Sequence, residues 1–171
     1  EEALTVLVKV LEDLNQEPMV RHEAAEAIGA IGSSDTTTIL EKFLKDPIVE
    51  VAETCELALD RIKWLNSTEN KNILSENPFQ SVDPAPPART KNVAELKSVL
   101  LNNEASLFNR YRAMFSLRNM RSEESVLALC SALKYGSALF KHEVAFVLGQ
   151  LQEVASVPFL KEALEDCTEN E

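Results

Sequence analysis

Apolar residues recur at helical spacing along most of this chain, and the pattern predicts an all-helical fold. Three stripes are formed by Leu4, Leu7, Val8, Leu11 and Leu14, then by Ala24, Ala27, Ile28 and Ile31, and then by Ile39, Phe43 and Leu44. A longer helix is predicted from about 48 to 65, with Pro47 at its start, where a missing backbone N–H has no consequence. Strand signals are nearly absent.

Segments of the chain also resemble one another at a spacing near 30 residues. Residues 23–26 align with 53–56 at a shift of 30, and residues 110–113 align with 141–144 at a shift of 31. Helix pairs repeated at this period are typical of α-solenoids of HEAT type. We therefore predict an all-α fold, an α-α superhelix of HEAT-like repeats in which the second helix of each pair lines the concave face.

The helical pattern fails in one proline-containing stretch. Four of the seven prolines fall together there, namely Pro78, Pro84, Pro86 and Pro87. The residue before a proline is driven out of helical geometry, so this stretch is predicted to be extended. We expect a linker at 66–91 that joins two half-solenoids, 1–65 and 92–171. Phe79 and Val82 give this linker apolar side chains, which a pure spacer does not need.

The last helical segment repeats the first. Leu-Glu-Asp at 164–166 falls on Leu-Glu-Asp at 11–13 when the chain is shifted by 153 residues. On this register, further copies of the repeat are expected before residue 1 and after residue 171. The chain is therefore expected to be the middle of a longer, internally duplicated protein, with both half-solenoids incomplete.

The charge and the cysteines narrow the class of function. A net charge of −11 argues against binding to a nucleic-acid backbone and favours a basic partner or simple solubility. No apolar run reaches the roughly 20 residues that a membrane span needs, and no secretory leader opens the sequence. The three cysteines are widely spaced and without metal-ligand spacing, which favours reduced thiols and a cytoplasmic location.

The candidate chemistry lies in two His-Glu pairs. The chain has two histidines, and a glutamate follows each directly: His22-Glu23 in RHEAAEAIGAIG and His142-Glu143 in KHEVAFVLGQLQ. Non-haem iron that activates dioxygen takes two imidazoles and one carboxylate with positions left open. One pair supplies two of these three ligands, so a neighbouring repeat must supply the second histidine.

An ordinary structural role for these pairs stays open on spacing alone. A His-Glu dipeptide on a helix is most often a surface pair or a satisfied half-buried pair. A glutamate in the first turn also stabilises the helix dipole by roughly 0.3–1 kcal/mol without any metal. Two copies at equivalent repeat positions, in a chain without other histidines, favour the metal interpretation.

Longer motifs resemble a known family. The segments EPMVRHEAAEAIGAIG, DPIVEVAETCELALDRIKWL, PFQSVDPAPPA, RYRAMFSLRN and GSALFKHEVAFVLGQLQ are similar to those of deoxyhypusine hydroxylase, and the resemblance covers nearly the whole chain. It implies a HEAT-repeat dyad with four His-Glu motifs, two in each half, that hold a di-iron centre. It also implies a cytoplasmic monooxygenase that uses dioxygen to hydroxylate the deoxyhypusine side chain of a eukaryotic translation initiation factor, giving hypusine.

The resemblance implies a role for each matched residue. His22 and Glu23 match the second motif of the family and would both bind one iron. His142 matches the third motif and would bind the other iron. Glu143 would contact the amine of the substrate, and Met19, within PMVRHE, would line the substrate pocket. No nucleic acid or membrane is implied as a partner.

The sequence also departs from the family pattern, because it lacks the first and fourth His-Glu motifs. We therefore expect this span alone to be inactive and to lack a complete set of iron ligands. The alternative function is a non-catalytic HEAT-repeat scaffold for protein interactions, in which the two His-Glu pairs have lost their role.

Overall fold

The computed structural model describes residues 2–67 and 77–167, and within these ranges the chain is helical and contains no strand. The helices are α1 (Glu2–Glu12), α2 (Pro18–Ile31), α3 (Thr37–Lys42), α4 (Val49–Leu65), α5 (Val93–Leu101), α6 (Leu107–Met120), α7 (Glu123–Ala132), α8 (Ala138–Leu151) and α9 (Val157–Glu165). The predicted all-α class is confirmed. None of these helices has the length and apolar character needed to cross a bilayer.

The ends of the predicted stripes differ from the structure in several places. Leu44 is 41% exposed because α3 already ends at Lys42. Leu14 is 73% exposed because α1 already ends at Glu12. Ile31 is 50% exposed at the last position of α2. The predicted long helix is confirmed as α4, although Ile48 is its N-cap and Pro47 therefore precedes the helix instead of occupying its first position.

The chain forms two compact units. The first contains the described residues 2–67 and a short later segment, 82–85, and the second contains 77–81 and 86–167. The part of the predicted linker at 68–76 lies outside the described residues. The division of the chain at 65 and 92 stays a prediction.

In the first unit, α2 packs along both α1 and α4. Small side chains allow the close approach of α2 to α4: Gly29 lies directly against Ala58. α2 begins with Pro18 and ends at Gly32, whose φ of 74° gives the left-handed cap that stops a helix. The core between these helices is built from Leu11, Ala24, Ala25, Ile28, Leu40, Val51, Cys55, Ala58, Leu59 and Ile62.

In the second unit, α6 packs against α5, α7 and α8. Serine side chains cap the starts of α6, α7 and α8, where Ser106, Ser122 and Ser137 each accept a hydrogen bond from a backbone N–H three residues later. The core includes Leu96, Leu100, Met114, Phe115, Leu129, Phe140, Val147 and Leu148.

One anchor recurs in both units and supports the repeat. The Nε of Arg21 donates to the carbonyl oxygen of Leu11 at 3.0 Å, and the Nε of Arg110 donates to the carbonyl oxygen of Leu100 at 3.0 Å. Each acceptor is the penultimate residue of the preceding helix, where carbonyl groups lack an intrahelical partner. The arginine therefore ties the second helix of a pair to the end of the first.

The described part of the proline-containing stretch is packed rather than loose. Arg118, which is fully buried, holds the ring of Phe79 at 4.8 Å from its guanidinium carbon and donates to Asn77 Oδ1 at 3.1 Å. Val82 is 62% exposed, whereas Ala85 is completely buried.

Candidate functional site

The two histidines occupy equivalent positions in the two units. His22 is the fifth residue of α2 and His142 is the fifth residue of α8, and both helices contain 14 residues. Each helix also carries a glycine seven residues after its histidine, at Gly29 and Gly149. The same local position thus presents both His-Glu pairs near a helix start.

His22 is held inside the first unit. It is 6% exposed, and its Nδ1 lies 2.6 Å from Oγ1 of Thr54 on α4. The Thr54 hydroxyl in turn donates to the carbonyl oxygen of Glu50 at 2.7 Å. Because α2 packs directly against α4, the imidazole ring is fixed between two rigid helices.

The other ring nitrogen of His22 faces carboxylates. Its Nε2 lies 3.9 Å from Glu23 Oε1 and 3.9 Å from Glu26 Oε2, both beyond hydrogen-bond length. Glu23 is well exposed and Glu26 is partly buried. Burial raises the pKa of Glu26, the negative charges of Glu23 and Asp83 raise it further, and the charge of Arg61 partly lowers it.

Glu26 was missed by the sequence reasoning, although a signal for it was present. Residues four apart on a helix share a face, so His22 and Glu26 had to lie side by side. Glu23 is only one residue from His22 and reaches the same space because its side chain is long and exposed. The structure therefore adds a second carboxylate next to the ring.

These residues fit an iron ion in type but not in number. Imidazole and carboxylate groups suit non-haem iron, and two carboxylates beside one ring nitrogen form a surrounding that favours a cation. Over residues 2–67 and 77–167, however, no group of three or more His, Cys, Asp or Glu side chains is arranged to hold a metal ion. In number, the described residues fall short of a complete set of ligands for iron.

The second pair lies in the second unit and is more open. His142 is exposed and Glu143 is half-buried on α8, whose N-terminus is capped by Ser137. Because the two pairs belong to different units, the shared di-iron centre that the family resemblance implies stays a prediction.

Met19 is the second residue of α2 and is 47% exposed. It precedes His22 by three residues, so both lie on the same side of the helix. This placement is compatible with Met19 lining a substrate pocket beside the imidazole, and its role in substrate binding stays a prediction.

The first helix pair of the second unit carries different residues at the His-Glu position. Tyr111 and Arg112 follow the anchor Arg110 there, as His22 and Glu23 follow Arg21 in α2. Tyr111 is buried and packs edge-on against Phe140 at 5.7 Å between ring centroids. This repeat uses the position for its core and offers no imidazole.

Comparison with known proteins agrees with the geometry. HEAT repeats match residues 1–60, and the PBS lyase HEAT-like repeat matches residues 110–135 and 140–166. The predicted repeat class is therefore confirmed, and the chain is a HEAT-repeat protein.

Similarity to named relatives is more specific than the match to repeat models. The chain is 63% identical over 171 residues to a deoxyhypusine hydroxylase of Drosophila melanogaster, covering 99% of this chain and 56% of the relative. It is 54% identical over 168 residues to the Homo sapiens deoxyhypusine hydroxylase, covering 98% of this chain and 55% of that protein. A solved structure of human deoxyhypusine hydroxylase in complex with glycerol matches with a TM-score of 0.91 and 53% identity, covering 99% of this chain and 58% of that one.

The chain is homologous to the deoxyhypusine hydroxylases over nearly its whole length, and the resemblance drawn from its motifs is confirmed. It spans about half the length of the curated relatives that it matches.

Proposed function

We propose that this chain forms the central part of an iron-dependent deoxyhypusine monooxygenase. The single observation that carries the proposal is the setting of His22, whose ring is buried between α2 and α4 with two carboxylates 3.9 Å from its Nε2. The names of the relatives support the reaction, since hydroxylation of deoxyhypusine is what those names state. Regions outside this span would complete the enzyme, and the span alone would be inactive.

The ligands that this chain would supply are distributed over its two units. His22 and Glu23 would hold one iron, and His142 would hold the second iron of a di-iron centre. When bound, the iron ions would supply the activation of dioxygen that hydroxylation of a carbon requires. The protein groups position these ions and limit their access to water, which is why burial of His22 supports the proposal.

The substrate would be bound by a carboxylate and an apolar neighbour. Deoxyhypusine is a lysine-derived side chain that carries amines, so a half-buried carboxylate such as Glu143 would hold an ammonium group by a charge-assisted hydrogen bond. Met19, on the same side of α2 as His22, would contact the aliphatic part of the arm. The protein that carries this side chain would be a eukaryotic translation initiation factor, which the enzyme would bind in the cytoplasm.

Electrostatics support a cationic substrate. The net charge of −11 attracts a basic arm and repels a nucleic-acid backbone. In the first unit, the pKa of Glu26 is raised by burial and by neighbouring negative charges, so this region would gain from a nearby cation.

Iron analysis of the full-length protein tests the proposal. We expect the wild-type protein to bind iron, and we expect His22→Ala and His142→Ala each to lose iron because each removes a ligand. Tyr111→Phe is the matched control, since it changes the repeat-equivalent position without removing an imidazole, and it should retain wild-type iron. Unchanged iron in both histidine variants would contradict the ligand assignment.

A separate variant addresses the substrate. Glu143→Gln should keep its iron but bind a deoxyhypusine-containing peptide more weakly, because the carboxylate charge is lost while the side-chain volume remains. If the wild-type protein bound neither iron nor this peptide, the non-catalytic HEAT-repeat scaffold would be the better account.

A further inference from the structure

Thr54 is a buried hydroxyl that faces the ring of His22. It lies on α4, is 3% exposed, and its Oγ1 is 2.6 Å from His22 Nδ1. Its side chain also bonds to the carbonyl oxygen of Glu50, one turn earlier on the same helix, at 2.7 Å. The hydroxyl therefore has two polar neighbours, a ring nitrogen and a backbone carbonyl.

The directions of the two hydrogen bonds at Thr54 follow from the number of protons that its hydroxyl and the His22 ring carry. A carbonyl oxygen can only accept, so the single hydroxyl proton of Thr54 is used toward Glu50. The hydroxyl oxygen must then accept from His22, which requires a proton on Nδ1. A neutral imidazole carries one proton, so the same arrangement makes Nε2 the acceptor nitrogen. That nitrogen is the one directed at Glu23 and Glu26.

We propose that Thr54 is a positioning residue for His22, because its hydroxyl fixes the ring in the Nδ1–H tautomer and turns Nε2 toward the carboxylates. This inference rests on the proposed function only for its consequence at iron. Metal-binding histidines commonly donate their second ring N–H to a nearby acceptor, which sets both the tautomer and the ring orientation. Here a threonine hydroxyl takes the place of the more usual carboxylate or backbone carbonyl.

The packing of the two helices makes this contact stiff. Thr54 is four residues before Ala58 on α4, and Ala58 is the residue against which Gly29 of α2 is pressed. Because this close approach sets the spacing of α2 and α4, the hydroxyl reaches the ring at 2.6 Å. The bond to Glu50 removes rotation about the threonine side chain, so the accepting oxygen points in one direction.

Two substitutions isolate the hydroxyl from the shape of the side chain. Thr54→Val keeps the branched volume and loses the oxygen, whereas Thr54→Ser keeps the oxygen and loses a methyl group. A purely structural role in packing predicts that serine is the more damaging change. A positioning role predicts the opposite order, with serine as the rescuing variant.

The tautomer of His22 is the direct measurement. Long-range nitrogen–proton correlation spectra of histidine-labelled, metal-free, full-length protein at alkaline pH distinguish the protonated from the accepting ring nitrogen, and His22→Gln identifies the signals. We expect wild-type protein and Thr54→Ser to show protonated Nδ1 and accepting Nε2. Thr54→Val should lose this single tautomer and show a mixture. Protonated Nε2 in the wild type, or an unchanged tautomer in Thr54→Val, would overturn the proposal.

Iron affinity gives the second arm of the test. Loss of such a supporting partner typically weakens metal binding or activity by about 10–100-fold, so titration with ferrous iron should show a loss of this size in Thr54→Val and wild-type affinity in Thr54→Ser. Equal affinity in the valine variant would also overturn the proposal. If Thr54→Val does not fold, protonated Nε2 in the wild type or loss of the Nδ1–H tautomer in Thr54→Ser would still overturn the proposal.

The role of Thr54 can be tested whether or not the protein binds iron. A wild-type protein that binds no iron contradicts the proposed function, while the tautomer in metal-free protein still supports or overturns the role of Thr54.

Discussion

Gly29 of α2 lies so close to Ala58 of α4 that a Cβ added at position 29 would be 2.7 Å from the Ala58 Cβ and 2.8 Å from its Cα. The second of these atoms belongs to the backbone and cannot rotate away. The absence of a side chain at Gly29 therefore sets the distance between the two helices that hold His22.

Gly29→Ala should consequently destabilise the first unit. Forcing a methyl group into a packed helix interface costs about 1–3 kcal/mol, because the helices must separate. We expect a lower midpoint of urea unfolding and a weaker contact between His22 and Thr54. Both can be followed on the same protein by fluorescence and by the nitrogen spectra of the histidine ring.

Gly149→Ala is the matched control for this change. Gly149 occupies the same position in α8, but a Cβ added there meets no atom within 4 Å. Replacing a glycine inside an exposed helix by alanine stabilises by about 0.5–1 kcal/mol. Stabilisation by both alanines, or loss of stability in both, would show that the Gly29–Ala58 contact is not what limits position 29.

The ion pair between Arg21 and Asp46 predicts a large effect of a small substitution. Both side chains are nearly fully buried, and Asp46 also accepts from the backbone N–H of Ile48. Asp46→Asn leaves the Arg21 charge buried without its counter-charge, which should lower the free energy of unfolding by about 3–5 kcal/mol. Denaturant unfolding measures this loss, provided that the slope of the free energy of unfolding against denaturant concentration is the same for both proteins.

A surface pair provides the comparison. Lys134 and Glu162 are 2.7 Å apart, but both side chains are more than half exposed. Glu162→Gln should leave the unfolding midpoint unchanged, since exposed pairs contribute little. A change in Asp46→Asn as small as that in Glu162→Gln would contradict the view that burial makes the Arg21 pair matter.

The same carboxyl predicts how stability depends on pH. Burial by itself raises the pKa of Asp46, but hydrogen bonds from Arg21 and Ile48 and the Arg21 charge outweigh it and hold the pKa below its usual 3.8. A carboxyl with a lowered folded-state pKa stabilises the fold above its unfolded pKa, and this stabilisation disappears as the pH falls through the folded pKa. The difference in free energy of unfolding between wild type and Asp46→Asn should therefore be constant near neutral pH and shrink below about pH 4.

Unfolding measured at a series of pH values checks this sign. If the difference in free energy of unfolding between wild type and Asp46→Asn stays constant or widens down to about pH 2, Asp46 does not titrate as its surroundings require.

The three cysteines should react at very different rates. Burial raises the pKa of Cys55 to about 12 and that of Cys130 to about 11, so almost no thiolate is available at neutral pH. Cys167 is exposed. Alkylation followed by peptide mass spectrometry should show rapid labelling of Cys167 alone among the three, and similar labelling of all three in urea. Rapid labelling of Cys55 in folded protein would refute this order.

The sequence was sufficient for the helices and the repeat because both depend on local periodicity. The spacing of apolar residues predicted α1, α2 and α4, and the shift of 30–31 residues predicted the HEAT class. Leu14 and Ile31 were misjudged because apolar residues can continue a stripe past the point where the helix is covered by a neighbour.

The sequence was not sufficient for the surroundings of His22. Glu26 could have been found from its spacing of four residues, but Thr54 lies 32 residues away on another helix. Only the packing of α2 on α4 brings that hydroxyl to the ring. Long-range polar contacts of this kind depend on helix spacing to a fraction of an ångström, which periodicity does not encode.

The arginine anchors have a consequence for how such a chain can lengthen or diverge. Arg21 reaches Leu11 and Arg110 reaches Leu100, so each donor lies ten residues after its acceptor. Inserting or deleting a single residue between the start of either second helix and its arginine would rotate the arginine by about 100° around the helix axis and break the bond. The first turn of the second helix in each pair is thus constrained in register as strictly as the cores are in composition, and tolerated insertions should occur elsewhere in the repeat.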